Sequence, residues 1–288
     1  MKQRPLMLAT CRHQPALTTS DELLAAHLGS LGATVAVVSW DEVAPAELAG
    51  VTICLRSTWD YHKRVSEFRD WIGALHAQRV TLVNPAETVL WNMDKAYLLW
   101  LAARGIAIPD TQWIAPGESF DVPRLLASAG WDRAVLKPRI SATAYGTHLV
   151  SAATTLDHDE RLALSRAGAL LQAFVPEIQS DGEMSLVFID GSFSHAVRKR
   201  PSPGDFRVQH EFGGTVAASV ASEAMQAFSA RVLATIPVPW TYARVDLVDT
   251  PHGPLLMELE LIEPDLFFGP GNDGAQRLAA ALCNAGSC

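Results

Sequence analysis

The pattern of apolar and polar positions changes period several times in the first ninety residues. Pro5–Thr10 is a short apolar run that predicts a buried strand. Thr18-Thr19-Ser20-Asp21-Glu22 offers hydroxyl caps and first-turn acids. Leu23, Leu24, His27, Leu28 and Leu31 then recur at helical spacing until Gly32. Thr34–Ser39 and Val51–Leu55 read as strands, and Glu67–Ala77 as a helix burying Phe68, Trp71, Ile72 and Leu75. Thr81–Val83 is a last short strand before Asn84-Pro85. Repeated strand–helix units predict a Rossmann-like parallel sheet, with ligands beyond the carboxyl ends of its strands. Those ends carry Cys11-Arg12-His13, Trp40-Asp41 and Arg56-Ser57-Thr58-Trp59-Asp60-Tyr61. Two readings stay open for the last group. Either it meets a ligand, or Trp59 and Tyr61 cap the sheet edge while Arg56 pairs with Asp60.

A second regime begins near Met93. Asp94–Arg104 predicts a helix burying Leu98, Leu99 and Leu101. Gln112–Ile114 and Ala134–Pro138 predict strands, and Pro123–Ala129 a helix. Asp157–Leu171 reads as an interrupted helix whose acidic start is a solvated N-terminus, followed by a strand over Leu170–Val175. Met184–Ile189 and Ser192–Arg198 form a hairpin through Asp190-Gly191. Ser219–Leu233 predicts a helix, and Tyr242–Val248 and Pro254–Ile262 two final strands. Pro201–Asp205 and Gly269–Gly274 read as loops. The expected division is a Rossmann-like substrate unit over 1–92 and two further subdomains over 93–180 and 181–288.

Composition narrows the function classes. The chain has 288 residues, 49% hydrophobic and 19% charged, enough to bury a sizeable core. Its net charge of −8 argues against a nucleic-acid surface, which needs clustered Lys and Arg. Cys11, Cys54, Cys283 and Cys288 form no CxxC pair and read as reduced thiols. The apolar run after Arg4 is too short for a signal peptide, and no stretch approaches a membrane span. A soluble cytoplasmic protein without a membrane or nucleic-acid partner is the expectation, with a homodimer the common assembly. Residues 10–15 contain no glycine, which removes the fingerprint of an NAD-type oxidoreductase.

Three features carry chemistry. Lys95 opens a helix, and Lys137 sits in the apolar strand Val135-Leu136-Lys137-Pro138, where it needs an anion or an exit to solvent. The loop Arg139–Thr147, with Ser141 and Gly146, is of a kind that cradles phosphate. Glu258 and Glu260 project from one strand face, with Asp246 on the hairpin partner able to face them. Hard oxygen ligands at that density suit Mg2+ or Mn2+. Otherwise the carboxylates face solvent, and Leu255, Met257, Leu259 and Leu261 lie in the core.

The ordered set Asn84-Pro85, Met93-Asp94-Lys95, Val135-Leu136-Lys137-Pro138, Gln172–Ile178, Gly182-Glu183, His195–Arg198, Gly213-Gly214, Asp246 and Glu258-Leu259-Glu260 resembles the ATP-grasp superfamily, its glutathione synthetase-like and RimK-like ligases above all. Arg56–Tyr61 and Glu258–Pro264 are also similar to the O-ureido-serine cyclo-ligases of cycloserine biosynthesis. The resemblance implies an ATP-grasp fold behind the Rossmann-like unit. It implies phosphate contacts from Lys95, Lys137, Ser141 and Gly146, and adenine recognition by Gln172, Ala173, Phe174 and Val175. Glu183 would lie near the ribose, Arg198 would hold the γ-phosphate, and Asp246, Glu258 and Glu260 would bind Mg2+ (or Mn2+). Two departures stand out: the family commonly has Asn where Glu260 stands, and more glycine than Ile140–Tyr145 offers. The implied activity is ATP-dependent carboxylate–amine ligation through an acyl phosphate, intermolecular or within one molecule. The alternative is a nucleotide-binding protein without ligase activity. Arg12, Arg56, Trp59, Asp60 and Arg207 are the residues expected to meet an amino-acid-like substrate.

Overall fold

The computed structural model describes residues 5–284. The first element group is β1 (Leu6–Thr10), α1 (Thr19–Ser30), β2 (Val35–Ser39), β3 (Thr52–Leu55), α2 (Val65–Ala77) and β4 (Thr81–Leu82). These strands form a four-stranded parallel sheet in the order β2-β1-β3-β4. Thr18 caps α1 by accepting from the Asp21 amide at 3.1 Å. Leu24 and Leu28 bury the face of α1, whereas Leu31, expected on that face, is exposed beyond its last turn.

The helix expected over Asp94–Arg104 is α4 (Ala96–Ala102), and a further short helix, α3 (Ala86–Asn92), precedes it. A second sheet follows, built from β5 (Thr111–Ile114), α5 (Val122–Ala129), β6 (Arg133–Pro138), β7 (His148–Ser151), α6 (His158–Ala167) and β8 (Ala169–Ala173). Its strands run antiparallel in the order β5-β8-β6-β7. The expected long helix from Asp157 ends at Ala167, because Gly168 adopts φ +77° and turns the chain into β8.

The third sheet contains α7 (Glu177–Ser180), β9 (Glu183–Ile189), β10 (Ser192–Arg200), β11 (Thr215–Ser219), α8 (Glu223–Thr235), β12 (Tyr242–Thr250) and β13 (Gly253–Glu260), and α9 (Gly274–Leu282) closes the series. Its strand order is β11-β10-β9-β12-β13, all antiparallel. The helix predicted from Ser219 begins only at Glu223, because Thr215–Ser219 forms edge strand β11 and Ser222 caps α8. Helix α9 returns to the first unit. Leu278, Ala279 and Leu282 pack with Leu6, Leu8, Leu24 and Leu28 in one core with Val187 and Tyr242.

Cys11 and Cys54 are free, and burial pushes the Cys54 thiol up to about 11. Cys283 is disulfide-bonded, which corrects the reading of reduced thiols for that residue. Cys288 and Met1–Arg4 lie outside the described residues. No helix among the described residues is long and apolar enough to cross a membrane.

Candidate active site

A cavity of about 520 Å3 lies where the two antiparallel sheets meet the carboxyl end of β3. Strand β6 contributes Lys137, and Lys95 enters from the start of α4. Lys95 Nζ donates to Ser141 O at 2.8 Å and pairs with Glu258 Oε1 at 3.0 Å. Lys137 makes no hydrogen bond or ion pair among the described residues. Burial pulls its ammonium down to about 8, against the attraction of Glu258. A buried cation without a counter-ion is costly unless a ligand supplies the anion.

Ser141 lines the cavity with Ala142, Thr143, Ala144 and Thr147. Gly146 does not line it. Its φ is +66°, and a Cβ there would meet Pro138 Cγ at 2.9 Å, so its place is in the turn that folds the loop against β6. Gln172, Ala173, Phe174 and Val175 line one apolar wall, with Phe206, Val208, Ile178 and Met257 packed beside them. Gln172 Nε2 donates to Thr111 Oγ1 at 3.0 Å, on the neighbouring strand β5.

The third sheet supplies a charged floor. Glu183 pairs with Lys199, and Lys199 Nζ also donates to Asp246 Oδ2 at 2.9 Å. Arg244 bonds Asp246 at 3.0 Å and pairs with Glu260. Burial works to raise the Asp246 carboxyl, but Arg244 and Lys199 overcome it and hold the group well below the usual range. Glu260 goes the other way, up to about 7, because burial outweighs Arg244 and because Glu258 and Asp246 are close.

Arg198 stands apart from this floor. It is opposite Met184 in the β9–β10 register, hence on the other sheet face, and its Nη1 donates to Asp181 O at 2.7 Å. Lys199, opposite Glu183, is the β10 cation in the cavity. A simple hairpin through Asp190-Gly191 would have put Arg198 opposite Glu183, but an irregularity between Phe193 and His195 advances β10 by one residue. The register thus brings Lys199, not the expected Arg198, to the cavity.

Strand β13 is irregular in the same way. Asp246 pairs with Glu258 and Leu247 with Leu256, so Met257 is an extra residue between them. Leu255 and Met257 consequently join the apolar wall beside Phe174, while Leu256, Leu259 and Leu261 enter the main core. The single apolar face expected from strict alternation is split.

Glu258 and Glu260 line the cavity, with side chains 32% and 27% exposed. Asp246 does not line it: its carboxylate lies below, taken up by Ser185 Oγ at 2.6 Å, Lys199 and Arg244. Among the described residues no three His, Cys, Asp or Glu side chains converge as a ready metal cluster. The donor chemistry of Glu258 and Glu260 nevertheless fits a hard divalent cation completed by phosphate oxygens.

The expected substrate residues separate. Trp59 and Arg207 line the cavity, and Arg207 is fixed by Asp205 at 2.8 Å and stacked over Phe212 at 3.6 Å. Arg56 is wholly buried and pairs with Asp21 at 2.6 Å, not with Asp60. Asp60 instead accepts from Trp40 Nε1 at 2.9 Å and Arg64 at 2.7 Å. Arg12 is held by Asp41 in a separate open cleft with Arg64 and Glu67. Arg56, Asp60 and Arg12 are therefore framework residues outside the cavity. Lys199, Arg244 and Glu263 also line the cavity and were not among the expected site residues, whereas Tyr61 lines it with Trp59 as expected.

Two antiparallel sheets closing on a cavity with lysines on one side and carboxylates on the other define the ATP-grasp class of nucleotide-using enzymes. Residues 6–84 match the family model of the N-terminal domain of D-cycloserine synthetase DcsG. The cycloserine biosynthesis protein DcsG of Streptomyces lavendulae is 31% identical over 279 residues, 88% of this chain and 89% of that protein. A crystal structure of D-cycloserine synthetase DcsG superposes with a TM-score of 0.82 at 28% identity, covering 97% of this chain and 99% of the other. A RimK domain ATP-grasp protein from Sphaerobacter thermophilus shares the fold, with a TM-score of 0.69 at 19% identity over 96% and 98% of the two chains. The chain belongs to the ATP-grasp ligases, in the family of DcsG. It is an ATP-dependent carboxylate–amine ligase.

Proposed function

We propose that the enzyme activates the carboxylate of a small amino-acid-like substrate and closes it onto a nitrogen of the same molecule, in the manner of an O-ureido-serine cyclo-ligase. The similarity to DcsG along nearly the whole chain carries this reading, because it includes the N-terminal unit that hands Trp59 and Tyr61 to the cavity. Adenine would lie against Gln172–Val175 and Met257, and the phosphates would meet Lys95, Lys137, Lys199 and the Ser141 loop. Glu258 and Glu260 would hold Mg2+ (or Mn2+), which when bound neutralises phosphate charge. Asp246 would steady Lys199 and Arg244 from below.

In the reaction a substrate carboxylate oxygen attacks the γ-phosphorus, and the bond to ADP breaks. The nitrogen then attacks the acyl carbon, phosphate leaves with the bonding pair, and the nitrogen loses a proton. Positioning and charge neutralisation by fixed cations supply most of such an acceleration. Arg207, on the loop over the cavity, would orient the carboxylate. The division into units 1–92, 93–180 and 181–288 fits this assignment, with substrate from the first and nucleotide between the other two.

ADP release measured with single amino acids, ureido and aminooxy derivatives, and with pairs of amino acids tests the reading. Turnover with a single substrate is expected, and so are loss with EDTA, recovery with Mg2+ and a fall of about 10²-fold or more for Glu258→Gln. A strict need for a second amine would contradict ring closure, and an unchanged Glu258→Gln enzyme would contradict the metal assignment.

A further inference from the structure

Five acidic residues are buried as whole residues among those described: Asp21, Asp60, Glu183, Asp246 and Glu263. Four of them have cationic partners, in Arg56, Arg64, Lys199 and Arg244. Glu263 has none. Its carboxylate accepts only from its own backbone amide and makes no hydrogen bond or ion pair to another described residue, yet it lines the same cavity as Trp59, Tyr61 and Glu260. Leaving a carboxylate buried and unpaired is costly unless the charge is compensated or neutralised. Burial, with Glu260 nearby, pushes the group up to about 8.

The backbone around Glu263 is pinned at three successive carbonyls. Tyr242 Oη donates to Ile262 O at 2.7 Å, Trp59 Nε1 to Glu263 O at 3.0 Å, and Arg56 Nη2 to Pro264 O at 2.8 Å. Arg56 is itself locked by Asp21, and its guanidinium lies 5.5 Å from the Tyr242 ring centroid. Three side chains from two units thus hold in place a carboxylate that pairs with no cation among the described residues. The neighbouring cavity acids do not share this state: Glu258 has Lys95, Glu260 has Arg244, and Asp265 accepts from the Phe267 amide at 2.8 Å.

We propose that Glu263 is the specificity-determining anchor for an ammonium group of the substrate, so that the enzyme selects α-amino acids over carboxylic acids that lack the amine. This rests on the ligase reading above and names the substrate class of that same site. The ammonium would enter between the Trp59–Tyr61 corner and Glu260, making a charge-assisted hydrogen bond to the one buried carboxylate left open. Arg56 and Trp59 are positioning residues that act through the Ile262–Pro264 backbone.

The test uses the full-length enzyme with ATP, MgCl2 and hydroxylamine, which traps an activated carboxylate as a hydroxamate whatever the natural nucleophile. The probes are α-amino acids, each matched with its 2-hydroxy acid. The wild type is expected to prefer the amino acid by about 10²-fold or more. Glu263→Gln should erase most of that preference through KM, with kcat much less changed, while Glu263→Asp recovers part of it. Glu263→Gln should also keep the wild-type affinity for AMPPNP and Mn2+, and the wild-type melting point or higher. A Glu263→Gln enzyme that retains the amino-acid preference, or that loses Mn2+ or nucleotide binding instead, overturns the assignment and leaves the ligase reading standing. A wild type that activates both members of each pair equally does the same. A wild type that activates no carboxylate at all overturns both.

Discussion

Lys137 enters the cavity from a strand whose neighbours are apolar, and no carboxylate reaches it. Its ammonium is held at about 8 by burial, with Glu258 pulling the other way. A bound phosphate stabilises the charged form, so nucleotide binding above about 8 must take up a proton. Affinity for ADP or AMPPNP should therefore be greatest below pH 8. It should fall by up to about tenfold per unit above it, as in linked titrations generally. For folding of the empty protein the sign is reversed. Between about 8 and an unfolded lysine value of ~10.4 the unfolded chain binds more protons, so this residue's cost to stability shrinks as pH rises. Isotherms from pH 7 to 9.5 on the wild type and Lys137→Met check the point: the slope should appear in the first and flatten in the second. A pH-independent wild type would contradict it.

At the level of elements, strand phase decides which side chains reach the chemistry. Lys199 faces Glu183 and Asp246, whereas Arg198 faces away with Met184. Lys199→Met should lower turnover by about 10²-fold or more, and should destabilise by about 3–5 kcal/mol because two buried carboxylates lose a cation. Arg198→Met should change activity by about twofold or less, as for surface sites away from special features. Turnover and thermal melts of the two variants, side by side, separate the assignments; equal losses would contradict the observed phase. The same strands explain what the sequence could and could not disclose. Periodicity located most of the elements; Lys137 stood out as a costly residue in an apolar strand, and Glu258 and Glu260 as two carboxylates on one strand face. One extra residue in β10 and one in β13 inverted the facing of their neighbours, and no local pattern announces such a bulge. Short β7 and β11 and helix α3 were invisible because each is stabilised mainly by its neighbours.

Over the whole molecule, the Rossmann-like unit and the third sheet are tied together rather than merely adjacent. Helix α9 packs in one core with α1 and β1, the Arg56–Asp21 pair fastens Pro264, and Trp59 fastens Glu263. Arg56 and Asp60 drew notice in the sequence as substrate contacts. Their real partners, Asp21 and Arg64, lie on other elements and emerge only from the fold. The N-terminal unit thereby both walls the cavity and fixes the segment that follows Glu258 and Glu260. The central claim is that this cavity converts a substrate carboxylate to an acyl phosphate at the expense of ATP. It is tested most directly by carrying out turnover with a substrate whose carboxylate is labelled with oxygen-18 and reading the released phosphate by mass. One labelled oxygen per phosphate, with ADP as the nucleotide product, is the predicted result. Unlabelled phosphate, or AMP and pyrophosphate in its place, would contradict it.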